Sequence, residues 1–273
     1  MNRVNSKKAN HYFQLFISTL IVILSSVSFY SSAQKISQNT AVKFPPEIVQ
    51  IQPNVSYDFL LAADYYSGNK RSGGVIILHD CRSDRKSYQT LAENIALQGL
   101  HTLLVDLRGY GASVSNAYSA EEAKSQAKDI ISLQSEMGKL TTKWPDDLLT
   151  MHQFLSKKIG KNAGISIIAS GCSSPYAVML AEKIQLKSIV MITPKMSYGD
   201  KERYKSLIDM PSYFVTSSNH QDSYETTNEL FTWSGDKHTK IQIFKGTSNN
   251  YQLLSNNNNL INDIAKWIKY SLR

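Results

Sequence analysis

From Gly73 onward the apolar positions fall into an alternation of short buried runs and helical stripes. Val75–Leu78 and Thr102–Val105 are β-branched or aliphatic throughout and bounded by polar residues, the pattern of strands covered on both faces. Between them, Ser87–Gln98 carries Tyr88, Leu91, Ala92 and Ile95 at helical spacing. Further runs at Ile165–Ala169, Ser188–Ile192, Ser212–Thr216 and Ile241–Phe244 predict four more strands. A closing helix puts Leu260, Ile261, Ile264, Trp267 and Ile268 on one face. Ser119 with Glu122 three residues later reads as a capping box opening a helix over Ala120–Gln134. Trp144-Pro145-Asp146 opens another, with proline in the first turn and acids at the positive end of the dipole. Ile48–Tyr66 holds two possible strands, of which Tyr57–Tyr66 is the better. Strands alternating with helices predict a doubly wound α/β domain, a mostly parallel sheet with helices on both faces and its site at the carboxyl ends of the strands.

The N-terminal pattern is different. Arg3, Lys7 and Lys8 precede an apolar core from Leu15 to Leu24, and Ser31-Ser32-Ala33 offers a small-residue cleavage site before Gln34. That is the order of a secretory signal, so residues 1–33 are expected to be a signal peptide and the domain to be exported, periplasmic or secreted. The alternative is an uncleaved anchor over Phe13–Tyr30, the only expected link to a membrane. Residues 34–50 read as a polar lead-in and 51–273 as the domain.

Composition narrows the function less than the pattern does. The 273 residues are 42% hydrophobic, enough for one substantial core. Part of the net charge of +8 lies in the leader, and the remaining basic residues form no cluster, so nucleic acid is not expected. The two cysteines and six histidines show no metal-ligand spacing, and no glycine loop for phosphates is present, so no cofactor is expected.

The stretch with chemistry in it is Ile165–Ala181. A buried strand stops in Ser170-Gly171-Cys172-Ser173-Ser174, and a helical pattern with Tyr176, Met179 and Leu180 begins at once. A sharp strand-to-helix corner of small residues is the setting of a nucleophile elbow. Small side chains are needed two positions before and after the apex. Ser170 at the apex would put bulky Ile168 there, and Ser173 would put Pro175 there. Cys172 puts Ser170 and Ser174 there, and is the expected apex. A helix N-terminus favours a thiolate at that point; the alternative is an inert, small buried Cys.

These motifs, with Val75-Ile76-Ile77-Leu78-His79-Asp80-Cys81, Val105-Asp106-Leu107-Arg108-Gly109-Tyr110-Gly111 and Trp144-Pro145-Asp146-Asp147, resemble the α/β-hydrolase fold over about Ile51–Arg273. The dienelactone-hydrolase-like branch, which often uses Cys, is the nearest in pattern. The resemblance implies Cys172 as nucleophile, with the amides of Ser173 and Cys81 as oxyanion hole. It implies an acid just after the Ser212–Thr216 strand, where Asp222 stands, although Asp222 also suits a helix N-cap. The base should follow the last strand, in Gly246–Tyr251, and no His is there; Asn249 occupies the expected place and cannot accept a proton at neutral pH. Among the histidines only His220 falls at a strand's carboxyl end, as a substitute base or an exposed loop residue. Two functions are therefore expected as alternatives. One is a degenerate hydrolase that binds a small-molecule ligand or partner with little turnover. The other is a thiol hydrolase of small esters or lactones using His220. Arg82, Arg85 and Lys86 hint at an anionic ligand, or are a solvated basic loop. The resemblance also brings Cys81 and Cys172 to neighbouring strand ends, where they either form a disulfide or remain two unrelated thiols.

Overall fold

In the computed structural model, which describes residues 45–54 and 58–273, eight strands form one sheet in the order β1-β2-β4-β3-β5-β6-β7-β8. They are β1 (Glu47–Ile51), β2 (Leu61–Tyr66), β3 (Gly74–Leu78), β4 (His101–Val105), β5 (Ile165–Ser170), β6 (Ile189–Ile192), β7 (Ser212–Ser217) and β8 (Lys240–Phe244). β1 and β2 pair antiparallel, β2 joins β4 antiparallel, and every pairing from β4 to β8 is parallel. The leader expected over 1–33, and residues 34–44, lie outside the described residues. β1 opens the sheet inside the stretch expected to be lead-in. It is an edge strand with an alternating burial pattern and the first of the two strands expected from Ile48 on, so the lead-in boundary at residue 50 falls inside it.

Period-two alternation along the strands divides the core. Ile76 and Leu78 of β3 point to one face with Leu103, Val105, Ile167 and Ala169. Val75 and Ile77 point to the other with Leu104, Ile168, Val190 and Val215. The second face is covered by α1 (Gln89–Leu97), α8 (Asn250–Ser255) and α9 (Asn258–Ser271), through Leu91, Ile95, Leu253, Ile264 and Ile268. The first is covered by α4 (Trp144–Lys158), α5 (Ser174–Lys183), α6 (Tyr198–Tyr204) and α7 (Gln221–Trp233), through Leu148, Met151, Val178, Tyr204 and Leu230.

The helix expected over Ala120–Gln134 is two helices, α2 (Ala120–Gln126) and α3 (Ile130–Thr141). Ser119 accepts from the Glu122 N–H, one half of the expected capping box; no bond from the Ser119 N–H to the Glu122 side chain completes it. The break comes where Ala127 turns extended and Asp129 starts a new capping box with Ser132, which satisfies amides that the break exposes at the start of α3.

Two charged pairs fix the loops above the parallel strands. Arg108 is fully buried, with Nη2 2.6 Å from Asp147 Oδ1 and its guanidinium 4.1 Å from the Phe59 ring centroid. Arg85 bridges Asp64, at 3.1 Å, and Asp106. The hint that Arg85 serves an anionic ligand is thereby corrected, because its charge is already shared by two carboxylates.

Candidate functional site

Parallel strands in register bring the carboxyl ends of β3, β5, β6, β7 and β8 to one edge of the sheet. Leu78 lies beside Ala169, and Ser170 beside Ile192. The chain leaves β5 through Gly171 at φ +54°, passes through a 3-10 turn, Gly171–Ser173, and enters α5 directly. The positive φ marks the apex of the corner, so the apex is Gly171 and not Cys172. With Gly171 at the apex, the flanking small residues are Ala169 and Ser173, both buried. A run of five small residues admits either frame, which is why the spacing rule chose the neighbouring one.

A side chain at the apex would point at the heart of the site. A Cβ built on Gly171 lies 2.8 Å from Asn250 Oδ1 and 3.2 Å from Asp80 Cβ. Asn250, not Asn249, therefore faces the apex from beyond β8. Asn249 is the cap residue of α8, and its Oδ1 accepts from Asn250 Nδ2 at 3.4 Å. Both are amides, so the absence of a proton acceptor there is the same in either register. Asn250 itself has φ +49° and Thr193, at the end of β6, φ +42°. They hold each other: Thr193 Oγ1 donates to Asn250 Oδ1 at 2.6 Å and accepts from the Asn250 N–H at 2.9 Å.

The network continues inward. Ser170 Oγ lies 3.2 Å from Asn250 Oδ1 and 2.7 Å from the Tyr88 hydroxyl, and Tyr88 donates to Asp80 Oδ2 at 2.8 Å. Asp80 also accepts from the Arg82 N–H and the Ser83 hydroxyl, both at 2.8 Å. Burial, together with the Asp80 charge, raises the Tyr88 phenol well above its ordinary range, so it stays a donor. His79 anchors the same loop. Its Nδ1–H donates to the Asp80 carbonyl at 2.7 Å and its Nε2 accepts from the Leu107 N–H at 3.0 Å. Burial lowers its pKa despite that carbonyl and the nearby carboxylates, which keeps the ring neutral and suited to both bonds.

Cys81 and Cys172 are joined by a disulfide with Cα atoms 5.9 Å apart. The expected nucleophile thus carries no free thiol. Ser173 is buried, and its hydroxyl accepts from the Ser170 N–H and donates to the Ser170 carbonyl, both at 3.0 Å, closing the corner. With Gly171 at the apex, the amide that follows the apex is that of Cys172, so Ser173 does not stand at the expected oxyanion position. His220 is the cap residue of α7, its Nδ1 enclosed and without a hydrogen-bond partner. Asp222 is exposed in the first turn of α7; the cap role considered for it belongs to His220. No hydrogen bond joins Asp222 to His220 or to Asn250 among the described residues. A cleft of about 180 Å³ gathers Cys172, Cys81, His220, Asp222 and Asn249, and Arg82 and Lys195 also line it. The structure thus brings the expected site residues together without connecting them as a triad. Asp80, Tyr88, Thr193 and Asn250 were not expected, and nothing in their local sequence distinguishes them from loop and core residues; Ser170 was expected only as a small residue of the corner. Among the described residues no cluster of His, Cys, Asp and Glu could hold a metal ion.

The strand order, the crossing at β3 and β4 and the strand-to-helix corner after β5 together define the α/β-hydrolase fold. Solved structures agree. An esterase from Pyrococcus furiosus matches with a TM-score of 0.63 at 12% identity, over 87% of this chain and 96% of its own. A dienelactone hydrolase from Anabaena variabilis matches at 0.58 and 14% identity, over 84% and 100%. A monoglyceride lipase from Saccharomyces cerevisiae matches at 0.56 and 9%, over 88% and 98%. No family model matches the chain, and no curated protein does. At these identities the likeness is one of fold.

Proposed function

We propose that this chain is an exported α/β-hydrolase-fold protein whose cleft binds a small molecule without turning it over. The observation that carries the reading is Gly171: the apex where a nucleophile would stand has no side chain, and the group facing it is an amide. Covalent catalysis needs a nucleophile and a base within hydrogen-bond reach. The Asp80 carboxylate beside the apex adds a charge of the wrong sign for a developing oxyanion. Export follows from the N-terminal pattern, and a disulfide suits an oxidising compartment.

The test uses two esters. The oxidised protein should hydrolyse p-nitrophenyl acetate no faster than buffer. Titration with ethyl butyrate should shift the Gly171 and Asn250 amide resonances while leaving the ester intact. Sustained turnover that is lost in His220→Ala would overturn the reading. A second reading is the thiol hydrolase, favoured by one observation: His220 Nδ1 is unpartnered in the cleft that also holds Cys172. It requires turnover that appears only after the disulfide is reduced.

A further inference from the structure

β8 is the last strand of the sheet and has a neighbour on one side only. Its pairing with β7 fixes which backbone groups the other side leaves open. The Phe244 carbonyl accepts from the Ser218 N–H at 2.8 Å, so the backbone of Phe244 faces β7. That direction alternates along a strand. Lys240, Gln242 and Phe244 therefore turn their N–H and C=O groups to β7, and Ile241 and Ile243 turn theirs away. Among the described residues nothing bonds to those outward groups. The side chains alternate across the faces: Ile241 packs on the first face of the core, Phe244 on the second, and Ile243 is 41% exposed. An edge left open in this way is a template for one more strand. Charge limits which strand. From Lys237 to Asn262 the chain carries Lys237, Lys240 and Lys245 and no carboxylate. Lys237 and Lys245 are exposed, and Lys240 is half-buried with its Nζ 4.5 Å from the Tyr213 ring centroid. None of the three is in an ion pair among the described residues. The carboxylates around them have other partners or other places. Asp236 accepts from the His238 N–H, Asp263 is half-buried on α9, and on α7 Glu225 takes the Gln221 amide while Glu229 pairs with Lys201.

We propose that the outer edge of β8 is a docking site for an extended, acidic polypeptide segment. The segment joins the sheet as a further strand through the backbone of Ile241 and Ile243 and sets its carboxylates against Lys240 and Lys245. Main-chain hydrogen bonds supply the attachment, and opposite charges across the two strands supply the selectivity. The same lysines oppose a second copy of this edge, which would bring two sets of like charges together. They fit a strand that carries acids. The site lies outside the cleft and does not draw on the binding reading, so the ester experiments leave it untouched.

The probes are two acetylated and amidated hexapeptides, Glu-Val-Thr-Val-Thr-Glu and Lys-Val-Thr-Val-Thr-Lys, titrated into the oxidised protein and followed by amide NMR and hydrogen exchange. The acidic peptide should protect the Ile241 and Ile243 amides and leave those of Gln242 and Phe244 as they are. It should bind about tenfold more tightly than the basic one, the reach of two cross-strand pairs changed from opposite to like charge. Ile243→Pro removes an outward N–H that takes no part in the ladder to β7, a place where an edge strand tolerates proline. That variant should keep the urea midpoint of the wild type and lose the acidic peptide. The double variant Lys240→Glu/Lys245→Glu keeps every backbone group and should reverse the preference, taking the basic peptide instead. Equal affinity for the two peptides, unchanged exchange at Ile241 and Ile243, or a preference that the charge reversal leaves as it was would overturn the proposal. So would a wild-type dimer whose Ile241 and Ile243 amides are protected before any peptide is added, since a second copy would then hold the edge.

Discussion

Replacing Gly171 by Ala tests whether Gly171 is the apex of the corner. At φ +54° an L-residue costs about 1–2 kcal/mol relative to its preferred conformations. The new Cβ would lie 2.8 Å from Asn250 Oδ1, closer than real Cβ contacts allow, and Asn250 is held by Thr193 and cannot swing away freely. Forcing a methyl group into such a place costs about 1–3 kcal/mol. Against this, alanine restricts the unfolded chain and returns about 0.4–1 kcal/mol. The net expectation is a loss of about 2–3 kcal/mol, combining left-handed strain, overpacking and unfolded-state entropy. Urea unfolding of the oxidised protein measures it, with unchanged slope as the check that only stability moved. The contact part separates from the backbone part in an Asn250→Gly background, where the amide is gone and position 250 keeps its positive φ at no cost. There Gly171→Ala should cost only about 1 kcal/mol, the backbone term less the unfolded-state entropy. A neutral Gly171→Ala, or an equal cost in both backgrounds, would refute the placement of the apex and with it the argument that the nucleophile position is vacant.

The disulfide closes a loop with a sequence separation of 91 residues, so the Cys81→Ala/Cys172→Ala double variant should unfold with about 4–5 kcal/mol less stability by the loop-entropy relation; a loss under about 1 kcal/mol would show that the reduced loop is already confined. For pH, the native His79 pKa lies below the unfolded value of 6.5, so the unfolded chain binds more protons on the acid side. The stability this contributes is full above the unfolded value and is lost as pH falls from there toward the folded value. The urea midpoint should fall between pH 7 and 5, less steeply in His79→Asn, which isolates His79 from His101 and His152, both also lowered by burial; an identical slope in the variant would remove His79 from the effect.

The parts of the fold that were legible are those where one physical cause acts alone. β3, β4, β5 and β7 are buried on both faces, so each holds a run of apolar residues with only small or hydroxyl-bearing residues and His101 among them, and announces itself. β1, an edge strand, was legible only as the weaker of two possible strands, and α8 is a six-residue helix, too short to show a stripe. The break between α2 and α3 depends on Asp129, whose role as a cap is visible only when its side chain accepts from the Ser132 N–H. In the site, the corner was legible as a corner and its register was not. Ser170, Gly171, Cys172, Ser173 and Ser174 are all small, so size cannot say which of them takes the positive φ. The same holds beyond β8, where Asn249 and Asn250 are adjacent and identical in type. Each register slipped by one position; a backbone angle decided the first, and the approach of Asn250 Oδ1 to the apex decided the second.

Those angles also say something about how the site is maintained. Gly171, Thr193 and Asn250 all have positive φ, and all three meet at the ends of β5, β6 and the segment after β8. For Gly171 this is free, and for Asn250 it is mild. For Thr193, whose β-branched side chain clashes with the left-handed backbone, it costs of the order of 1–3 kcal/mol. Strain of that size persists only where surrounding contacts over-determine it. Here the Thr193 hydroxyl both donates to and accepts from Asn250, and Asn250 in turn reaches Ser170, Tyr88 and Asp80 through a continuous buried network. A corner that served only to join a strand to a helix would have no use for a strained threonine at the end of the neighbouring strand. A cleft that must hold its amide and hydroxyl groups in fixed positions does, because a rigid polar wall binds a ligand without first paying to order itself. The backbone geometry of this corner is therefore compatible with the binding role proposed for the cleft. The network from Asp80 to Thr193 is what would keep it in shape.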